Sequence, residues 1–310
     1  MDHDAALLDE LAPVAEELVE RHLANAREWF PHEMVPWSAG RDFVDGEEWD
    51  PAEAPMDEAV RSALFVNLLT EDNLPHYFRT IDRLFGIDHP WGAWTRRWTA
   101  EEGRHAIVIR DYLTVTRSID PVALERGRMA QVSRAEVPEP ETVLDGLVYV
   151  TLQELATRIA HGNTGRLLDD RRGRDIMARV AGDENLHHVF YRDVTSAALE
   201  VDPSAVVLAI DRQVRDFAMP GTGIPDFGAH ARAIATAGIY DYANHYERIL
   251  CPVVLGHWRL ESVEGLSPEA EEARARVLRY MGRVAKAARR VSERRQAATE
   301  DADQDTLALV

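Results

Sequence analysis

The amino-acid sequence predicts an all-α fold. Apolar residues recur at helical spacing almost throughout the chain, and no run alternates β-branched and polar residues as a half-buried strand would. Proline and glycine gather in a few short stretches, which divide the helical pattern into elements. Residues 4–29 place Leu7, Leu8, Leu11, Val14, Leu18 and Leu23 on one helix, and residues 30–55 hold six prolines and glycines and read as a loop. A helix from about Met56 to Phe85 precedes a break at Gly86–Gly92, and another runs from about Ala93 to Thr116. Pro75 removes a backbone donor and is expected to kink the first of these beside Glu71. Residues 117–140 read as a short helix and a proline-marked turn, followed by helices near 141–165 and 170–200. Asp202-Pro203-Ser204 starts a further helix, since proline suits a first turn. After a loop at 218–227, helices are expected over 228–262, broken near Pro252, and over 267–296. The domain reading is one unit, 1–295, with a loose tail at 296–310.

Composition excludes several classes. No stretch of 18 apolar residues is present, so no membrane span is expected. The first ten residues are acidic where a targeting peptide would be basic, and the single cysteine, Cys251, fits a reducing cytoplasm and excludes a cysteine-based zinc site. A formal charge of −19 argues against nucleic acid or an anionic membrane as partner. The charge is uneven. Residues 1–60 are strongly acidic, whereas 274–295 carry nine bases against Glu293 alone: Arg274, Arg276, Arg279, Arg283, Lys286, Arg289, Arg290, Arg294 and Arg295.

Two Glu-x-x-His pairs carry the chemistry, Glu102/His105 and Glu184/His187. The i, i+3 spacing sets a carboxylate and an imidazole on one helix face, where both can reach one metal ion. Composition alone produces about one such pair by chance, so the pairs are weak singly. Their surroundings repeat: Glu71 lies 31 residues before Glu102, and Glu154 lies 30 residues before Glu184. About thirty residues is half a helix, a turn and half of the antiparallel partner, which returns the chain to one height in a bundle. Four helices would then project four carboxylates and two imidazoles inward, the di-metal arrangement of ferritin-like bundles. Buried carboxylates need cations, and this oxygen-rich donor set favours iron or manganese. Asp72 is a rival to Glu71, although it faces about 100° away on the helix.

In these residues, and in the stretches EWFPHEMVPW, LLTEDNLPHY, RWTAEEGRHAIVIRDYL, QELATRIAHGNTG and GDENLHHVFYRDV, the chain resembles the acyl-acyl carrier protein desaturases, more the actinobacterial branch than the plant one. The resemblance spans roughly residues 5–260. It implies two iron ions per chain on Glu71, Glu102, His105, Glu154, Glu184 and His187, and a threonine at the oxygen-binding edge, Thr157. It implies that Asp183 holds His105 and leads to Trp29 as an electron route; by the internal repeat, Glu101 would hold His187. His161 and His188 are expected to be structural histidines. Leu74, Leu152, Leu155 and Val180 are candidate walls of an acyl channel. The implied reaction is O₂-dependent desaturation of an acyl chain carried on acyl carrier protein, with a ferredoxin-like electron donor, by a cytoplasmic homodimer. The ligand set alone also suits a metal carrier or a hydroxylase or N-oxygenase. Gly103 and Leu186 depart from the plant pattern, and so does the scarcity of lysine, which leaves Lys286 as the sole one.

Overall fold

The computed structural model of the chain describes residues 3–134, 136–221 and 223–308, with side-chain surroundings through residue 293. Among the described residues it is helical without strands. Helix α1 (His3–Asn25) buries Leu7, Leu11, Ala15, Leu18 and His22 along one stripe. Trp29 lies past its end, before the short α2 (Pro31–Met34). The proline-rich segment that follows holds two 3₁₀ turns, Trp37–Ala39 and Pro51–Glu53.

The expected helix over 56–85 is two helices, α3 (Glu58–Glu71) and α4 (Leu74–Phe85). Pro75 does not kink a continuous helix. It occupies the first turn of α4, where a missing N–H costs nothing, and α3 stops at Glu71. The next break is shorter than expected, because α5 (His89–Val115) begins at its own Pro90 and includes Gly92. A Cβ on Gly92 would lie 1.9 Å from the Ile87 carbonyl oxygen, so glycine is what lets the chain fold back so tightly there.

Helix α6 (Pro121–Arg134) precedes α7 (Val143–Leu167), which Thr142 caps, and α8 (Arg171–Val201), which Asp170 caps. Asp202 caps α9 (Pro203–Arg215) through its bond from Ala205 N. Helices α10 (Phe227–Thr236) and α11 (Tyr242–His245) are separated at Gly238, whose φ is +73°. Pro252 does not break the chain. It lies within a π-helical segment, Tyr246–His257, whose wider turn accommodates a residue without an N–H. Helix α12 (Pro268–Ala308) continues past the expected end near 296. That stretch contains neither glycine nor proline and is rich in Ala, so nothing in it stops a helix.

Helix α7 is buried nearly all round and packs most extensively on α8. Two hydrophobic clusters surround the pair. On α5 the larger cluster reaches Trp98 and the smaller resumes at Ala106; on α8 the smaller ends at Val180 and the larger resumes at Phe190. The intervals between them, on two antiparallel helices, hold Glu101–His105 and Asp183–His187.

Candidate metal centre

All six expected ligands are buried and meet in this polar layer. Donor atoms of Glu71, Glu102, His105 and Glu184 lie within 4.8 Å of one another, as do those of Glu102, Glu154, Glu184 and His187. Glu102 and Glu184 belong to both sets, Glu71 and Glu154 to one each, and each set has one imidazole. His105 Nδ1 lies 3.4 Å from Glu102, 3.3 Å from Glu184 and 3.7 Å from Glu71. His187 Nδ1 lies 2.8 Å from Glu102 and 3.6 Å from Glu154. Asp72 turns away to pair with Arg110.

The donors fit a pair of cations. His105 Nδ1, His187 Nδ1, Glu102 Oε1 and Glu154 Oε2 are buried without a hydrogen-bond partner although they crowd together. Such groups are costly unless something coordinates them. The protein alone balances the charge with protons. Burial, then the neighbouring Glu184 charge, raises Glu154 well above the ordinary carboxylate range. Burial opposes a charged His105, but Glu102, Asp183 and Glu184 outweigh it and hold the ring's pKa well above normal. His187 behaves likewise beside Glu101, Glu102 and Glu154. Oxygen donors with two imidazoles suit iron or manganese.

A second layer orients the imidazoles. Asp183 Oδ2 is 3.6 Å from His105 Nε2, just beyond hydrogen-bond length. It accepts from Trp29 Nε1 at 2.8 Å and from Arg104 at 3.2 Å, while Arg179 holds the other oxygen at 2.5 Å. The Arg104 guanidinium also lies 4.8 Å over the Trp29 ring. Burial opposes the Asp183 charge, yet His105, Trp29 and Arg179 bring its pKa down to about 2. Glu101 Oε2 is 2.9 Å from His187 Nε2. Thr157 Oγ1 lies 2.9 Å from both Glu184 Oε2 and the Glu154 carbonyl, so its hydroxyl reaches a candidate ligand and is not confined to bonding back along its helix.

Two neighbours escaped the sequence reading, and a third, His161, was expected only as a structural histidine. Trp98 Nε1 donates to Glu154 Oε1 at 3.0 Å. His22, from α1, is 2.9 Å from Glu101 Oε2. His161 Nε2 is 3.0 Å from Glu71 Oε1 and 3.7 Å from Glu184, which ties this buried histidine to the cluster itself. His188 bonds the Thr151 carbonyl at 2.9 Å, and burial drives its pKa down to about 4. Of the two that escaped, only His22 left a trace in sequence: it occupies the next position of α1's buried stripe.

Two largely apolar cavities meet at the cluster. One, about 610 Å³ with its mouth, runs past Tyr77, Ile81, Leu84 and Tyr149; the other, about 870 Å³, runs past Val66, Met219, Phe227 and Ile239. Both are walled by Thr70, Glu71, Thr157 and Pro220. The second shares Met219, Ala231 and Tyr240 with an outer cavity that Tyr280 and Val284 of α12 also line. The expected walls Leu74, Leu152, Leu155 and Val180 line neither inner cavity. Leu152 and Leu155 are buried in the larger hydrophobic cluster, Leu74 packs against it, and Val180 is buried in the smaller one. Walls come instead from other residues of α3, α4, α7 and α10, closed by Pro138, Pro140, Met219 and Pro220 between helices.

Comparison with known proteins agrees with this geometry. The family model described as fatty acid desaturase matches residues 3–307. The chain is 42% identical over 281 residues to the Mycobacterium tuberculosis protein assigned as acyl-[acyl-carrier-protein] desaturase DesA1, covering 87% of this chain and 83% of that one. It is 31% identical to stearoyl-[acyl-carrier-protein] 9-desaturase 6 of Arabidopsis thaliana, covering 86% of this chain and 72% of that one. The X-ray structure of the M. tuberculosis protein assigned as acyl-ACP desaturase DesA2 superimposes with a TM-score of 0.70 at 27% identity, covering 86% of this chain and 99% of that chain. With its ferritin-like helical fold and its buried carboxylate and histidine clusters, the chain belongs to the acyl-acyl carrier protein desaturase family, in the actinobacterial branch.

Proposed function

We propose that the protein desaturates a saturated acyl chain carried as a thioester on acyl carrier protein, using O₂ and electrons from a ferredoxin-like donor in the cytoplasm. The observation that carries this reading is the meeting of two apolar cavities at Glu71 and Thr157, beside the six-residue cluster. An acyl chain laid through both arms would present its middle methylenes there, beside the carboxylates and imidazoles of the cluster. Iron bound by Glu71, Glu102, His105, Glu154, Glu184 and His187, two ions per chain, would supply the oxidising power. The protein's own work is placement and dryness. Ile81, Leu84, Ile234 and Ile239 exclude water along the arms. Thr157 holds a hydroxyl proton at the junction, against Glu184 Oε2. Asp183 joins His105 to Trp29 and is suited to be an electron path inward.

Helix α12 is the proposed docking face for the carrier. Arg274 and Arg276 are engaged internally, with the Val263 carbonyl and Asp211. Arg279, Arg283, Lys286, Arg289 and Arg290 are exposed, and Arg279 and Arg283 flank Tyr280 at the outer cavity. Arg294 and Arg295 lie outside the described side chains.

The test is product analysis by mass spectrometry. Iron-loaded protein, given acyl-carrier substrates, O₂ and a reducing system, is expected to yield chains two hydrogens lighter. Chains returned unchanged, or carrying an added oxygen, would overturn the reading.

A further inference from the structure

The two imidazoles of the cluster are anchored by different outer residues, and the difference assigns a role to the first helix. On the His105 side, Asp183 is fixed by Trp29, Arg104 and Arg179. On the His187 side, Glu101 has two partners on its own helix, both at Oε1: the half-exposed Arg97 at 2.5 Å and, more loosely, Arg104 at 3.6 Å. Its other oxygen, Oε2, is 2.9 Å from His187 Nε2 and 2.9 Å from His22 Nε2. That oxygen accepts from both rings, so each ring carries a proton on Nε2. As a neutral metal ligand, His187 would then present its lone pair on Nδ1, which faces Glu102 and Glu154. His22 is itself held firmly. Its ring stacks on His187 at 5.8 Å and meets the buried Trp94 edge-on at 5.0 Å.

We infer that His22 is a positioning residue for the metal-binding half built on His187, so that docking of α1 completes that half of the site. Arg97, with Arg104, holds one oxygen of Glu101, and His22 holds the other together with His187. Without His22, Oε2 loses one of its two donors, Glu101 can turn toward Arg97, and His187 is free to take the wrong tautomer. The His105 half has no contact with His22 and keeps its three anchors. The inference rests on the metal-centre reading above, but concerns how the two halves differ.

Equilibrium titration with Co²⁺, followed by absorbance and by metal analysis of the full-length chain, tests it. Wild type is expected to hold two ions per chain. His22→Leu is expected to keep one tight site and to weaken the other roughly tenfold, at the low end of the effect of such outer partners. His22→Gln, which retains a donor of similar reach, should recover most of that loss. Melting of the metal-free proteins reports folding separately. If wild type takes up no metal, the metal centre fails and this inference with it. Two equally tight sites in His22→Leu would overturn the inference alone. So would equal weakening in both variants together with lowered metal-free melting, since His22 would then supply packing and not a hydrogen bond.

Discussion

Asp183 shows what a single residue away from the metal can do. It receives Trp29, Arg104 and Arg179 and faces His105. Asp183→Asn should leave the fold intact and weaken metal affinity or turnover roughly 10–100-fold, measurable by metal titration beside a thermal melt. A second residue-level expectation concerns pH. Burial lowers the pKa of His245 to about 4, against 6.5 for the ordinary side chain. Between those values the unfolded chain binds the extra proton, so stability rises with pH and is lost as pH falls from 6.5 toward 4. Acidification from pH 7 to pH 5 should cost up to about 2 kcal/mol through this group. His245→Gln should remove that part of the loss of unfolding free energy between pH 7 and pH 5, measured by denaturant melts at the two values; an unchanged loss would contradict the burial argument. At this scale the meeting of the six expected ligands was legible because their spacing repeats within the chain. The contacts of His22, Trp98 and His161 were not, because each reaches its partner across helices from a distant part of the sequence, where no local pattern records the contact.

At the scale of elements, sequence named nearly every helix and misjudged how prolines act on them. Pro75 and Pro90 begin helices, and Pro252 passes through a π-helical segment, because the cost of a missing N–H depends on whether the local turn would have used it. The break after α3 has a consequence for the site: Glu71 is the last residue of its helix and rests on His161. Channel walls were misassigned for a related reason. Periodicity identifies faces that pack, whereas a cavity forms where neighbouring elements fail to close on one another. Helix α12 carries the clearest element-level expectation. Five of its bases are exposed on a chain of charge −19, and steering by exposed charge weakens with salt. Reversing Arg283 and Arg290 together to Glu should raise the apparent KM for acyl-carrier substrate severalfold at low salt, with metal content unchanged. Steady-state kinetics across a salt series checks this, and wild-type kinetics in the double variant would place the carrier elsewhere.

Over the whole molecule, two hydrophobic clusters grip four helices from either side and leave a polar layer between them. Close packing around that layer makes the donors rigid, and rigidity is what a fixed coordination sphere needs. It also concentrates negative charge where water cannot screen it, which the protein alone relieves only by keeping protons on Glu154 and on the two imidazoles. Metal binding should therefore release protons and stabilise the fold, by an amount set by metal concentration over affinity. The fold class was readable from periodicity alone, and the bundle from the thirty-residue spacing, because both are properties of a helix. The two-armed cavity was not readable, since it depends on how α4 and α10 come to lie over the bundle. Anaerobic reconstitution with Fe²⁺, followed by metal analysis, tests the central claim most directly. Wild type should bind about two irons per chain, and the Glu102→Ala, His187→Ala double variant should lose them. One iron in the wild type, or full loading retained in the double variant, would contradict it.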